Sequence, residues 1–316
     1  MQSNKKQVGL VLGSGGARGL AHVGVIKSLE ENNIPVDSVS GTSIGALIGG
    51  LYASGFSVKS LEKVIQEVDK IMVAKLLMPK LFTPGFIDNN KVRYFINEFV
   101  GDINIEDMKI PFASVATDLV TGEEVVFDKG PLIDAIIASI AIPAVFQPVF
   151  LKNRYLIDGG LSNPLPISVA KGNGSQIIIA VNVSPNPKRI TKKIKSKQTN
   201  EIKLLVKKLP SLFTGLLNDN KQKVRSVKSE GEIERQKPVS FPSPSILNVF
   251  LQSISISNNN LMTQHLRFAK PDILISPNIE DFDMLEFYKG SEIIKRGYEA
   301  AQKSLQEIYS VLKMNK

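Results

Sequence analysis

A serine with glycine two positions to either side, Gly41-Thr42-Ser43-Ile44-Gly45, stands at an abrupt change of pattern in this chain. Residues 36–40 alternate and carry β-branched side chains, as a short strand does. Residues 46–53 are apolar and mostly helix-forming. A strand that turns at once into a helix through Gly-x-Ser-x-Gly has the sequence form of a nucleophile elbow. Crowding explains the composition. The turn is strained and pushes the serine hydroxyl outward, so its flanking positions must leave room for neighbouring backbone. The helix that starts there also brings its positive end to any negative charge that develops nearby. Ser43 is therefore a candidate nucleophile, with Gly41 and Gly45 as the residues that let the elbow close.

The strand before the elbow needs parallel neighbours, and the chain offers them. Residues 7–12 (QVGLVL) read as a buried strand, followed directly by Gly13-Ser14-Gly15-Gly16-Ala17-Arg18-Gly19. From 17 to 31 the apolar residues Leu20, Val23 and Ile26 recur at helical spacing. A glycine-rich turn between strand and helix presents bare N–H groups above the sheet. One use is dinucleotide binding, but neither register of G-x-G-x-x-G is complete here. Asp37, the acidic residue nearest the expected distance, already falls within the elbow's strand. The other use is an oxyanion hole, with the N–H groups of Gly15, Gly16 and Arg18 facing a tetrahedral intermediate. In a parallel βαβ arrangement this turn lies beside Ser43, which favours the oxyanion hole. His22 follows on the same helix; it reads as a histidine bonded within the fold, with the base of a Ser-His-Asp triad as the alternative.

Further on, residues 58–72 and 89–99 read as helices joined by an apolar, proline-punctuated connector at 78–86, a candidate wall of a hydrophobic pocket or equally a packed loop. Residues 111–128 read as two strands around a Val120-Thr121-Gly122 turn, with Asp118 forming the turn. A short helix at 132–139 precedes a strand pair around Asn153. Asp158-Gly159-Gly160 then follows an apolar stretch. Asp-Gly at that place is a hairpin signal. It also suits a base, because a carboxylate at a glycine-backed strand end can approach a hydroxyl closely. Burial beside an apolar pocket would lift its pKa from the usual ~3.9 toward a useful range. Residues 162–166 cap a helix in this reading, and 176–183 form another buried strand.

Composition removes several alternatives. The 316 residues contain no cysteine and only two histidines, His22 and His265, so disulfides and thiol catalysis are excluded and an all-protein zinc site is disfavoured. No apolar run approaches the ~18 residues of a membrane span, and the short run after Lys5 and Lys6 reads as the first strand rather than a signal peptide. The net charge of +9 is concentrated. Between residues 187 and 240 there are 15 lysines and arginines against 5 carboxylates, which leaves the remainder at 24 against 25. A near-neutral body with one charged segment does not read as a nucleic-acid-binding protein.

With Gly15-Gly16-Ala17-Arg18-Gly19, Gly41-Thr42-Ser43-Ile44-Gly45 and Asp158-Gly159-Gly160 present in order, the sequence resembles the patatin-like phospholipase family. It is most similar to the bacterial members related to the catalytic domain of neuropathy target esterase. The stretch Ala138-Ser139-Ile140-Ala141-Ile142-Pro143 is also similar to the family. The resemblance covers about residues 7–184 and resumes near 245–305, where Lys270-Pro271-Asp272-Ile273-Leu274-Ile275 and the helix after it look like the closing strand and helix. It implies a three-layer α/β fold with a central, mostly parallel sheet flanked by helices. It also implies a Ser43–Asp158 dyad without histidine, an oxyanion hole at Gly15–Arg18, a fatty-acyl ester of a lipid as substrate, and no metal or nucleotide cofactor. Ser14 and Ala144 depart from the family, standing where many members have glycine. A patatin-fold regulatory or interaction protein with a vestigial site is the competing expectation.

The segment at about 186–244 is not covered by the resemblance. It reads as a basic, partly mobile insertion in a single domain, with an apolar stripe at helical spacing over 202–217 interrupted by Pro210 and a polar, proline-rich remainder that reads as a mobile loop. Its charge leads to an expectation of peripheral contact with anionic membrane through 188–237, on a protein expected in the cytoplasm; the alternative expectation is that the stripe packs on the protein's own core as a lid and the charge is solvated.

Overall fold

Strand β1 (Val8–Leu12) is buried along its whole length and has a parallel neighbour on each side, β2 (Ser38–Thr42) and β7 (Ile177–Val181). Five consecutive buried residues, four of them apolar, are what a strand covered on both faces requires. The computed structural model describes residues 6–68, 89–184 and 246–314. Beyond β1 the chain forms helix α1 (Ala21–Glu31), strand β2, helix α2 (Ile44–Ala53), helix α3 (Val58–Glu67) and helix α4 (Asn89–Val100). Strands β3 (Phe112–Asp118) and β4 (Glu124–Phe127), helix α5 (Leu132–Ser139), and strands β5 (Val149–Leu151) and β6 (Arg154–Asp158) follow. Helix α6 (Ile167–Gly172), strand β7, helix α7 (Ile246–Phe268), strand β8 (Ile273–Ile275) and helix α8 (Gly290–Leu312) complete the order.

The strands make one sheet in the order β5-β6-β3-β2-β1-β7-β8, with β4 paired to β3. From β3 through β8 every pairing on that path is parallel, whereas β3–β4, β3–β6 and β5–β6 are antiparallel. Alternation along the central strands separates the two faces. Leu10, Leu12, Ile179 and Val181 join a large core shared with α1, α2 and α8. Val11, Ile178 and Ala180 point the other way, to Ile167 of α6 and Met262 of α7. Three layers result, as a sheet with two apolar faces demands. Helices α1 and α8 approach closely because each offers a glycine to the other. A Cβ on Gly24 would strike the Ile294 carbonyl, and one on Gly297 the Ala21 carbonyl.

Several local expectations shift. The helix expected from residue 17 starts as a 3-10 turn, Gly16–Leu20, before α1 begins at Ala21. The helix expected over 58–72 is described through Glu67, and the 78–86 connector lies outside the described residues. So do the basic insertion at 186–244, its 202–217 stripe and the 188–237 membrane contact. Asp158-Gly159 is not a hairpin: β6 ends at Asp158 and passes into the 3-10 turn Gly159–Leu161. The helix after residues 162–166 begins at Ile167 with no side-chain cap; Asn163 turns instead to Glu124 and Ser168. Among the described residues no helix is long and apolar enough to cross a membrane.

Candidate active site

Ser43 is the residue between β2 and α2, with φ 56° and ψ −124°. A non-glycine residue at positive φ is strained by its own Cβ, at a cost of about 1–3 kcal/mol, and persists only where its surroundings hold it. Here they do. The Ser43 N–H donates to Ser139 Oγ at 2.9 Å, and the Ser139 hydroxyl donates onward to Val115 O at 2.6 Å. The preceding Thr42 Oγ1 donates to Asn163 O at 2.8 Å. The motif glycines are steric necessities: a Cβ on Gly41 would strike the Gly45 carbonyl, and one on Gly45 the Leu12 carbonyl.

Asp158 reaches the same point from β6. Thr117 Oγ1 donates to its carbonyl at 2.9 Å, and its own N–H donates to Ala141 O at 2.9 Å. Gly159 has no room for a side chain, because a Cβ there would strike the Val115 carbonyl. The Gly160 N–H donates to Asp158 Oδ1 at 2.7 Å, leaving Oδ2 for Ser43 Oγ, which donates to it at 2.5 Å. Both side chains are buried, Ser43 at 4% and Asp158 at 5% exposure. Burial pushes the Asp158 carboxyl up to about 6, against the lowering effect of the Ser43 and Gly160 hydrogen bonds.

The glycine-rich turn lies beside this pair. Its Gly13, Ser14 and Ala17 N–H groups are tied to Val181 O, Pro164 O and Met284 O. Among the described residues the N–H groups of Gly15 and Gly16 have no acceptor, and Gly16 takes φ 58°. Arg18 is drawn in through its side chain. Its buried guanidinium donates from Nε to Gly15 O at 3.3 Å and from Nη2 to Ser255 Oγ at 3.4 Å. Desolvation lowers the Arg18 pKa to about 10, partly opposed by the nearby Asp283, so it stays charged at neutral pH.

His22 is fully buried beneath the turn, where its Nε2–H donates to Gly13 O at 2.8 Å. Its Nδ1 has no partner, and burial lowers its pKa to about 4. It makes no hydrogen bond to Ser43 or Asp158 and serves the turn, not a triad. Asp118 forms its turn through Oδ1, which accepts from Val120 N and Thr121 N. Asp37 accepts from Val8 N and is part of the sheet.

A pocket of about 250 Å³ opens against Ser43 and Gly16. Leu47, Ile48 and Leu51 of α2 line it, with Val64 of α3, Phe95 and Phe99 of α4, and further apolar residues; every lining side chain except that of Ser43 is apolar. A fatty-acyl chain fits such a surface, because each CH2 moved out of water contributes about 0.8 kcal/mol. Sequence reading did not single out Ser139, Thr42 or Asn163 as site residues. A trace of Ser139 was visible, since it is a polar residue ending the apolar run LIDAIIAS.

Fold and site together define an α/β protein with a serine–aspartate pair set against an apolar pocket. Residues 10–171 match the patatin-like phospholipase family model, and the chain belongs to that family. An uncharacterized NTE family protein of Mycobacterium tuberculosis is 38% identical over 182 residues, covering 58% of this chain and 50% of that one. Lysophospholipase NTE1 of Candida albicans is 33% identical over 183 residues, 57% of this chain and 13% of the relative. Patatin-like phospholipase domain-containing protein 6 of Mus musculus is 36% identical over 186 residues, 56% and 13%. The matched region thus spans half of the mycobacterial relative and about an eighth of the others. Among solved structures, VipD from Legionella pneumophila shares the fold at a TM-score of 0.54 and 12% identity, over 98% of this chain and 67% of its own.

Proposed function

We propose that this chain is a serine-dependent lipid acyl hydrolase, a carboxylic ester hydrolase of the phospholipase or lysophospholipase type that works through a Ser43–Asp158 dyad. The observation that carries the reading is the 2.5 Å contact from Ser43 Oγ to Asp158 Oδ2 beside a pocket with no other polar side chain. The names of the fungal and animal relatives, lysophospholipase and patatin-like phospholipase domain-containing protein, point to the same substrate class.

In this mechanism Asp158 accepts the Ser43 proton as Oγ bonds to the ester carbonyl carbon. The carbonyl oxygen becomes an oxyanion, received by the Gly15 and Gly16 N–H groups. The intermediate collapses by breaking the bond to the alcohol, which leaves with the proton held by Asp158. An acyl-serine remains, its chain in the apolar pocket. Asp158 then takes a proton from water, hydroxide character attacks the acyl carbon, and the acid departs as Ser43 Oγ is reprotonated. An unburied aspartate is a weak base; a carboxyl lifted to about 6 is closer to the pKa such work needs. Neither a metal nor a nucleotide enters any step.

The basic segment at 188–237 belongs to this proposal through its charge alone. Each lysine or arginine near an anionic surface contributes ~1 kcal/mol, so a handful would hold the enzyme against its substrate bilayer. The test of the function itself is hydrolysis of a lysophospholipid and of a short aryl ester by the wild type, Ser43→Ala and Asp158→Asn. The reading requires turnover in the wild type only. A folded wild type that cleaves neither ester would favour the vestigial, regulatory alternative.

A further inference from the structure

Helix α7 was not anticipated as part of the site, yet two of its buried polar residues, one turn apart, touch the two turns that flank Ser43. Ser255 meets Arg18 of the glycine-rich turn. Asn258, 7% exposed, meets the turn after Asp158. With its amide oriented so that each end faces a complementary group, Nδ2 donates to Gly160 O at 2.8 Å and to Ile254 O at 3.2 Å. The other end of the same amide faces Ser14 Oγ across 3.5 Å. Gly160 is where these groups converge: a Cβ there would lie 2.6 Å from Asn258, 3.0 Å from Asp158 Oδ1 and 3.1 Å from Ser14 Oγ.

We infer that Asn258 is a positioning residue for the Ser43–Asp158 pair, pinning the Gly160 turn whose N–H aims Asp158 and tying that turn to Ser14. The inference rests on the hydrolase reading for its kinetic consequence, though not for its geometry. Gly160 donates through N–H to the carboxylate and accepts through C=O from Asn258, so a single residue carries both bonds. Loss of the Asn258 donor leaves a buried carbonyl unpaired and frees the turn to rotate. The Gly160 N–H then drifts from Asp158, and a bond that favours the ionised carboxylate is weakened.

The test compares wild type, Asn258→Ala and Ser14→Gly in the full chain. Two readouts are taken from about pH 4.5 to 8.5: kcat and KM on a short aryl ester, and the 13C titration of the Asp158 carboxyl, assigned with Asp158→Asn. Asn258→Ala is expected to lower kcat about tenfold with KM changed less than about twofold. Its acid limb and the Asp158 titration should both move to higher pH. Ser14→Gly, which gives up only the long contact, should move the acid limb and the Asp158 titration in the same direction as Asn258→Ala but by less. Should Asn258→Ala not fold, Asn258→Ser carries the same expectation, since its hydroxyl is too short to span the two turns. Lower thermal stability with an unmoved Asp158 titration and unchanged kcat per folded molecule would reduce Asn258 to ordinary helix packing and overturn the inference. A wild type without turnover whose Asp158 titration still moves in Asn258→Ala would overturn the hydrolase reading and keep the positioning role.

Discussion

Thr42 and Asp158 pair with successive residues of one strand: Thr42 lies opposite Val115 of β3, and Asp158 opposite Ala116. Strand β2 runs parallel to β3 and β6 runs against it, so the two chains approach that point from opposite directions and end there. Ser43, the residue after Thr42, therefore meets Asp158 through the register of the sheet rather than through a loop. Ser139 bonds the same strand at Val115 O, so β3 fixes the serine, the aspartate and the hydroxyl that holds the elbow.

The dyad reading predicts distinct costs for Asp158 and His22. Asp158→Asn should lower kcat by roughly three orders of magnitude or more, as loss of a catalytic base does. His22→Gln keeps a donor for Gly13 O and should stay within about tenfold of wild type. Steady-state kinetics on a short ester check both, and an equally inactive, folded His22→Gln would restore the triad.

The strain at Ser43 predicts a stability signature. Glycine relieves a positive φ that alanine does not. Ser43→Gly should be more stable than Ser43→Ala by about 1 kcal/mol in urea unfolding, although both lack activity. A Ser43→Gly variant less stable than Ser43→Ala by about 0.5–1 kcal/mol, the entropic cost of glycine alone, would show that the elbow is not strained.

The pKa shift of Asp158 predicts two pH effects. On the proposed mechanism the base works ionised, so kcat/KM should fall as pH drops through about 6. Its folded pKa lies above the ordinary value, so the native state holds this proton more tightly than the unfolded chain. Its contribution to stability is therefore full below about 4 and lost as pH rises through 6. His22 acts in the opposite sense: its folded pKa of about 4 lies below the ordinary 6.5, so its contribution is present above 6.5 and lost as pH falls through 4. Subtracting the wild-type curve from that of Asp158→Asn cancels His22. The remaining stability gain of the variant should grow between about pH 4 and 6 and then level off.

The apolar pocket predicts a limit on chain length. Val64 of α3 is half-buried and lines the pocket, so Val64→Trp fills space without disturbing the sheet. The longest acyl ester that the variant hydrolyses should be shorter than for wild type, with butyrate ester activity retained within about threefold. A uniform loss across chain lengths would place the acyl chain elsewhere.

The parts of this architecture that are legible in the sequence are those where backbone geometry dictates residue type. Glycines at 41 and 45 are required because carbonyls pass where a Cβ would be, and the strand and helix on either side have distinct periodicities. The mostly parallel, three-layer sheet follows from the buried runs at 8–12 and 177–181. The supports were not legible. Ser139 and Asn258 act across 96 and 98 residues of sequence, on Ser43 and Gly160, and hydrogen bonds between distant residues leave no periodic mark. Asp158-Gly159 misleads as a turn signal because steric exclusion by the Val115 carbonyl selects glycine as strongly as a hairpin would. The helical start at residue 17 is displaced for a similar reason, since Ala17 N is bonded to Met284 O and the first turn tightens to 3-10.

The central claim is that Ser43 is the nucleophile. Reaction of the folded protein with a fluorophosphonate, followed by peptide mass spectrometry, tests it without any assumption about the natural lipid. The account predicts one adduct, on Ser43, whose formation slows as pH falls through about 6 and is absent in Ser43→Ala. An adduct on another residue, or undiminished labelling of Ser43→Ala, would contradict it.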